Sequence, residues 1–439
     1  MSTKRKGQAL WNKAKKLIPG GGQLLSKRAE LFLPDEWPAY YSKAKGIQVV
    51  DLDGKRYLDF SIMGVGTCIL GYADPDVGKA VKKAIDAGSM ATLNCPEEVE
   101  LAELLISLHP WAGKVRFART GGEAMSVAVR IGRAHTGKDK VAFCGYHGWS
   151  DWYLATNLRD AKGLNEHLLP GLDPAGVPQN LAGTVLPFSY NRIDELERLV
   201  EQHSDIGVIV VEPLRHQEPT NGFLERVREI ADRIGAVLVF DEITIGWRLT
   251  IGGVHLKYKV SPDIAVFAKA ISNGYPMSAI LGRGTVMESA QKTFISSTYW
   301  TERIGPTAAL ATIKKLRRVK FPAHAKRIGT LIMKGLAERA KKHGLSLKVQ
   351  GPPAIVVFSF EYGEDSQAIR TLFTQEMLDR GFLASSTVFV TYAHTARDVQ
   401  KYLSAVDAVF AILAKAIKGK NVLALLRGEV AHSGFKRLT

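Results

Sequence analysis

Two charged residues close two apolar runs between Ala236 and Arg283: Asp241 follows AVLVF, and Lys269 follows DIAVFA. Both runs are too apolar and β-branched for surface segments, so they read as buried parallel strands. In an open parallel sheet, ligands bind beyond the carboxyl ends of the strands, and a lysine desolvated there becomes a nucleophile. The pair suits a Schiff-base lysine with an acid that keeps an aromatic ring nitrogen protonated. Singly, an Asp at a strand end is more often a helix cap and a lone Lys a solvated side chain, so neighbouring motifs must decide.

Arg119-Thr120-Gly121-Gly122-Glu123-Ala124 follows VRFA and opens a helix. Free backbone N–H groups at a positive helix end bind phosphate, and glycines let the backbone approach it closely. Tyr146 follows the run KVAFC, where a flat ring can stack on a heterocycle. IVVEPLRHQEP ends a third run with Glu212, Arg215 and Gln217, side chains able to hydrogen-bond a ring substituent. A lysine for an imine and an acid for a pyridine nitrogen are what pyridoxal phosphate requires; the helix start adds a place for its phosphate.

The elements that must position these residues follow from the patterning. From about residue 114 short β-rich runs alternate with helical stretches, VRFAR before EAMSVAVRIGRAHTG and IGVIVVEP before FLERVREIADRIG, the pattern of a doubly wound α/β domain. Upstream, residues 8–18 read as a helix ending at Pro19 and three glycines. GIQVVDLDGKRYLDF reads as a hairpin around Asp53-Gly54. From about residue 322 the order is helix, strand, helix, strand, helix, a smaller α+β lobe, and the partly apolar tail from Asn421 is expected to pack on the fold. The expected division is an N-terminal segment 1–55 contributing to the small lobe and dimer contacts, a large cofactor-binding domain 56–320, and a C-terminal small domain 321–439.

The 439 residues, 46% of them hydrophobic, allow a large core, and no apolar run approaches a membrane span. Without a secretory leader pattern the expectation is a cytoplasmic protein. Cys68, Cys95 and Cys144 lack the spacing of a disulfide framework or zinc site, so buried thiols and no metal are expected. The net charge of +16 favours anionic ligands. Its basic residues fall on helical-looking segments such as Lys314, Lys315, Arg317, Arg318 and Lys320, read as a solvated face; the expected partners include no nucleic acid and no membrane.

GGEA, YHG after a strand, VEP, FDEITIGWR and AKAISNGYP, in this order and spacing, resemble the class III aminotransferases of the fold-type I pyridoxal-phosphate superfamily, over nearly the whole chain. IPGG, VDLDGKRYLDF, ILGYADPDV, IGGVHLKYKVSPD and TYAHT are most similar to the glutamate-1-semialdehyde 2,1-aminomutase subgroup. The resemblance implies a mostly parallel seven-stranded sheet with helices on both faces, plus a smaller α+β domain. It implies that Lys269 carries pyridoxal 5'-phosphate as a Schiff base and that Asp241 pairs with the ring nitrogen. Ile243 and Tyr146 would flank the ring, with His147 in the same turn and Glu212 at the next strand end. Backbone groups of Gly121, Gly122 and Glu123 would hold the phosphate, and Gln217 or Arg215 would approach the ring hydroxyl. Thr298 would reach the phosphate of the neighbouring subunit, which implies a homodimer with shared active sites.

The chain departs from the aminomutase where that subgroup clamps a substrate carboxylate with Ser and Arg. Leu24 stands at the Ser position, Lys27 or, with a one-residue slip, Arg28 at the Arg position, and Val65 replaces a pocket tryptophan. Lysine does not reproduce a bidentate arginine clamp. The expectation is therefore an aminotransferase moving an amino group between a small-molecule donor and a carbonyl biosynthetic substrate, sugar-type or otherwise anionic, with Arg28, Val65 and Arg215 near the substrate. The alternative is an intramolecular aminomutase. A non-catalytic binding protein on the same fold would have lost Lys269 or Asp241, and both are present.

Overall fold

A computed structural model describes residues 5–165, 167 and 171–434. The chain divides into two compact units, one of residues 75–322 and one of residues 1–74 with 323–439.

The first unit is built on a seven-stranded sheet. In chain order its strands are β1 (Lys114–Ala118), β2 (Lys140–Cys144), β3 (Val185–Pro187), β4 (Ile206–Val211), β5 (Val237–Asp241), β6 (Ile264–Phe267) and β7 (Ser278–Gly282). They lie in the order β1-β7-β6-β5-β4-β2-β3. All neighbours are parallel except that β7 runs antiparallel to both β1 and β6. Every residue of β4, β5, β6 and β7 is buried, which accounts for continuous rather than alternating apolar composition.

Alternation reappears as two cores. Val208, Val210, Val237 and Val239 face a helix, α1 (Gly121–Thr136), through its Met125, Ala128 and Ile131. Ile209, Val211, Leu238 and Phe240 point to the opposite side, onto Leu224, Val227 and Ile230 of α2 (Phe223–Ile234). From β2 the chain steps outward to β3, then crosses to β4 and on to β5 and β6. The order therefore reverses between β2 and β4, and the turns after those strands flank the crevice that such a reversal opens. Two strands are not marked by the sequence pattern: β3 has three residues, too few to show a period, and SAILG of β7 directly follows a proline-containing turn.

One expectation about charge changes. Lys315 is buried, not solvated: its Nζ lies 3.3 Å from Asp76 Oδ2, which also pairs with Arg318.

In the second unit, Tyr41–Lys45, Gln48–Asp51, Arg56–Phe60 and Phe382–Ala384 form one sheet, and Leu347–Gln350, Ile355–Phe360 and Thr387–Phe389 another. The hairpin turns at Gly54, φ 84°, with Asp51 Oδ1 accepting the amides of Asp53 and Lys55, both at 2.9 Å. Residues 56–74, grouped with the large domain in the expected division, lie in this unit, because Arg56–Phe60 pairs with Phe382–Ala384 in parallel. The tail packs as expected. Gln367 Nε2 donates to Ala431 O at 2.6 Å, Ala431 N to Thr371 Oγ1 at 3.0 Å, and Arg427 bridges Glu36 and Asp379.

Of the cysteines, Cys144 is buried as expected, whereas Cys68 and Cys95 are partly exposed; all three are free thiols. Among the described residues no helix is long and apolar enough to cross a membrane, and no His/Cys/Asp/Glu group could hold a metal ion.

Candidate active site

Lys269 and Asp241 project from the ends of neighbouring strands, β6 and β5, whose register pairs Asp241 with Val266. Asp241 is buried, and both its oxygens are engaged. Oδ1 accepts the Ile243 amide at 3.0 Å, and Oδ2 lies 2.8 Å from His147 Nδ1. His147 is itself buried, with Nε2 3.2 Å from the Cys144 carbonyl, so the ring is held at both ends. A carboxylate with four acceptor sites retains capacity for a further N–H donor.

The His147 turn follows β2 and depends on two glycines. Gly145 has φ 120°, and a Cβ there would stand 2.7 Å from Glu212 Oε2; Gly148 has φ 107°, and its Cβ would stand 2.9 Å from Gly122 Cα. Tyr146 N donates to Glu212 Oε2 at 2.9 Å, joining the turns after β2 and β4. Burial, reinforced by the Asp241 charge, pushes the Tyr146 phenol upward, so it stays neutral.

Gly121 and Gly122 begin α1, and their amides have no intrahelical acceptor by position. Ile243 crosses Gly121, where a Cβ would come within 3.0 Å of Ile243 Cδ1, and Trp149 crosses Gly122 at 3.2 Å. The Glu123 carboxylate is turned back onto the chain: Oε2 accepts the amides of Arg119 at 2.9 Å and Thr120 at 3.2 Å, the reach-back of a capping box. Its side chain therefore braces the helix start.

Of the two candidates beyond Glu212, Arg215 turns inward, with Nη1 2.8 Å from His167 O and 3.4 Å from Glu212 Oε2, while Gln217 is exposed. Thr298 is also exposed on this chain and opens a single turn, Thr298–Thr301. Arg119 Nη2 fastens that turn beside α1 by donating to Trp300 O at 2.8 Å and Glu302 O at 2.9 Å. In the other unit Arg28 lies against the Gly20 turn, and Val65 is held at φ 61°, a conformation that β-branched residues rarely adopt.

Lys269 has φ 47°, a left-handed conformation that costs a lysine energy and fixes where its side chain leaves the backbone. Its Nζ donates to Thr244 Oγ1 at 2.9 Å. The residue is only partly covered, yet its amine lies deep enough that burial lowers its pKa to about 8, against the opposing pull of Glu212 and Asp241. Thr244, Trp149 and Arg248 escape a reading of sequence alone. They sit in turns, where no periodicity marks which side chain faces inward.

A buried acid at one strand end, a depressed lysine at the next, and a helix start stripped of Cβ atoms match the three handles of pyridoxal phosphate, and the fold and site define a pyridoxal-phosphate-dependent transferase of fold type I. The family model for aminotransferase class-III matches residues 34–407, and the chain belongs to that family. It is 30% identical over 418 residues to 3-aminobutyryl-CoA aminotransferase of Cloacimonas acidaminovorans (strain Evry), covering 91% of this chain and 95% of that protein. To the glutamate-1-semialdehyde 2,1-aminomutase of Francisella tularensis subsp. holarctica it is 31% identical over 428 residues, covering 91% and 97%. The FumI protein of Sphingopyxis sp. MTA144, solved with pyridoxal phosphate, superposes with a TM-score of 0.85 at 26% identity over 94% of this chain and 97% of that one. The protein is an enzyme, and its cofactor is pyridoxal phosphate.

The close approach of Gly148 to Gly122 makes a specific prediction. Gly148→Ala should push the turn off the start of α1 and weaken cofactor retention roughly tenfold, about 1.4 kcal/mol, measured by dialysis against buffer without cofactor. Gly88→Ala, also at positive φ (95°) but facing open space, should leave retention unchanged.

Proposed function

We propose that the protein is an intermolecular aminotransferase, exchanging an amino group between a small-molecule donor and a carbonyl-bearing anionic metabolite. The observation that carries the amino-transfer reading is the buried, depressed Lys269 amine one strand from the Asp241–His147 pair. Bound there, pyridoxal phosphate supplies an electron sink that acidifies the substrate carbon. Asp241 Oδ2, steadied by His147, holds negative charge toward the ring nitrogen; the amides of Gly121 and Gly122 orient the phosphate, and Ile243 and Tyr146 bound the ring faces. Lys269 Nζ, whose lowered pKa of about 8 leaves roughly a fifth of it neutral at about pH 7.4, takes the proton from the substrate carbon and returns it.

Exchange between two molecules is favoured by Leu24 and Lys27, where the aminomutase subgroup has its carboxylate clamp, and by the packing of Arg28 against Gly20. A phosphate- or carboxylate-bearing substrate suits the net charge of +16, and the similarity to an aminotransferase named for an acyl-CoA substrate points to the same class. Thr298 of the partner subunit completes the phosphate site in a homodimer. Phe294 and Tyr299, 86% and 71% exposed on either side of Thr298, supply apolar area for that contact.

Mixing the cofactor-loaded enzyme with single amines tests the reading. Donors should convert the cofactor absorbance to that of its amine form, and carbonyl acceptors should restore it. Turnover of glutamate 1-semialdehyde alone, with no response to any external donor, would replace this reading with the aminomutase.

A further inference from the structure

Arg248 is fully buried at the end of the turn that follows β5. The turn is tightly closed: Gly246 N donates to Glu242 O at 2.8 Å, and Trp247, at φ 70°, donates to Gly252 O at 2.8 Å. Within it, Arg248 Nε donates to Thr244 O at 2.8 Å, and the hydroxyl of the same threonine receives Lys269 Nζ at 2.9 Å. One residue thus connects a buried guanidinium to the catalytic amine, by its carbonyl on one side and its side chain on the other.

A buried cation is costly, and burial pulls the Arg248 guanidinium down to about 9, still charged at neutral pH. Four charged groups act on the Lys269 amine. Glu212 and Asp241 favour its ammonium form, and Arg248 and Arg215 oppose it. Arg248 differs from Arg215 in being fully buried, where water screens its charge least.

We propose that Arg248 is a positioning residue for Lys269: it locks Thr244 so that the hydroxyl receives the amine, and its buried charge favours the neutral amine. The inference rests on the assignment of Lys269 above. An arginine that only pinned the turn would affect thermal stability and leave the lysine's titration unmoved.

Acetylation of Lys269 by acetic anhydride separates the two, because only the neutral amine reacts. The full chain, stripped of cofactor, is acetylated from about pH 6 to about pH 11, and the Lys269 peptide is quantified by mass. The wild-type midpoint should lie near 8. Arg248→Met should move it upward, cutting the rate near neutral pH roughly three- to tenfold, whereas Arg248→Lys should stay within about twofold of wild type. Thr244→Val keeps the charge but frees the amine, and its plateau rate should rise about threefold. An unchanged midpoint in folded Arg248→Met overturns the inference. Where that variant does not fold, an unchanged plateau rate in Thr244→Val overturns it. A wild-type Lys269 that titrates as an ordinary surface lysine would instead defeat the assignment of the site itself.

Discussion

Lys269→Ala should lose aminotransferase turnover by about four orders of magnitude while still folding and binding the cofactor through the α1 start and Asp241. In the proposed reaction the amine carries the proton at the substrate carbon, and no other lysine ends a strand at this crevice among the described residues. The variant should also lose the borohydride-stable mass addition on the peptide containing residue 269. A covalent addition that persisted elsewhere in the variant would reassign the lysine.

A stability effect accompanies the loss, and its sign follows from the depressed amine. Folding lowers the Lys269 pKa from 10.5 to about 8, so below pH 8 the folded chain holds an ammonium in a place that disfavours it. Between about pH 8 and about pH 10.5 the unfolded chain binds the extra proton, and wild-type stability rises with pH through that window. Lys269→Met should therefore raise the melting temperature of the cofactor-free protein most below pH 8, and the gain should shrink as pH rises.

The parts of this site that sequence reasoning reaches share one property: they terminate elements with a strong local signature. Asp241 and Lys269 end runs whose burial on both faces leaves no polar residue until the strand stops. Gly121 and Gly122 stand where a strand pattern gives way to a helical one. What is not legible depends on a turn's path through space. The sequence places Thr244 three residues beyond Asp241 without indicating that it faces Lys269 and Arg248. Glu123 shows the same gap: its place at the helix start does not reveal that its carboxylate turns back onto the amides of Arg119 and Thr120. Around Val65 the limit is backbone geometry. Met63, Gly64, Val65 and Gly66 all have positive φ, at 41°, 65°, 61° and 75°. Two of the four are not glycine, so composition alone does not announce a left-handed run.

Asp241→Asn should lower kcat about a thousandfold, about 4 kcal/mol, with a much smaller loss of cofactor affinity. The amide keeps the shape of the side chain and retains an oxygen for the Ile243 amide, so the turn should survive. What disappears is the negative charge that, in the proposed site, would keep a ring nitrogen protonated, and that charge would matter most when electrons move onto the ring. The buried His147 separates this effect from simple misfolding. Asp241→Ala leaves Nδ1 of His147 without its partner at 2.8 Å and should cost a further 1–3 kcal/mol or so of stability, read as a lower melting temperature. Asp241→Asn should melt close to wild type, because its oxygen keeps the Ile243 amide while its NH2 group donates to His147 Nδ1 in the tautomer whose Nε2–H faces the Cys144 carbonyl. A slow but thermally normal Asp241→Asn enzyme beside a destabilised Asp241→Ala protein would assign the charge to catalysis and the hydrogen bond to architecture. If Asp241→Asn stayed within tenfold of wild-type kcat, the carboxylate would not be the group holding the ring nitrogen, and Glu212, the other acid that bears on the Lys269 amine, would take its place in the argument.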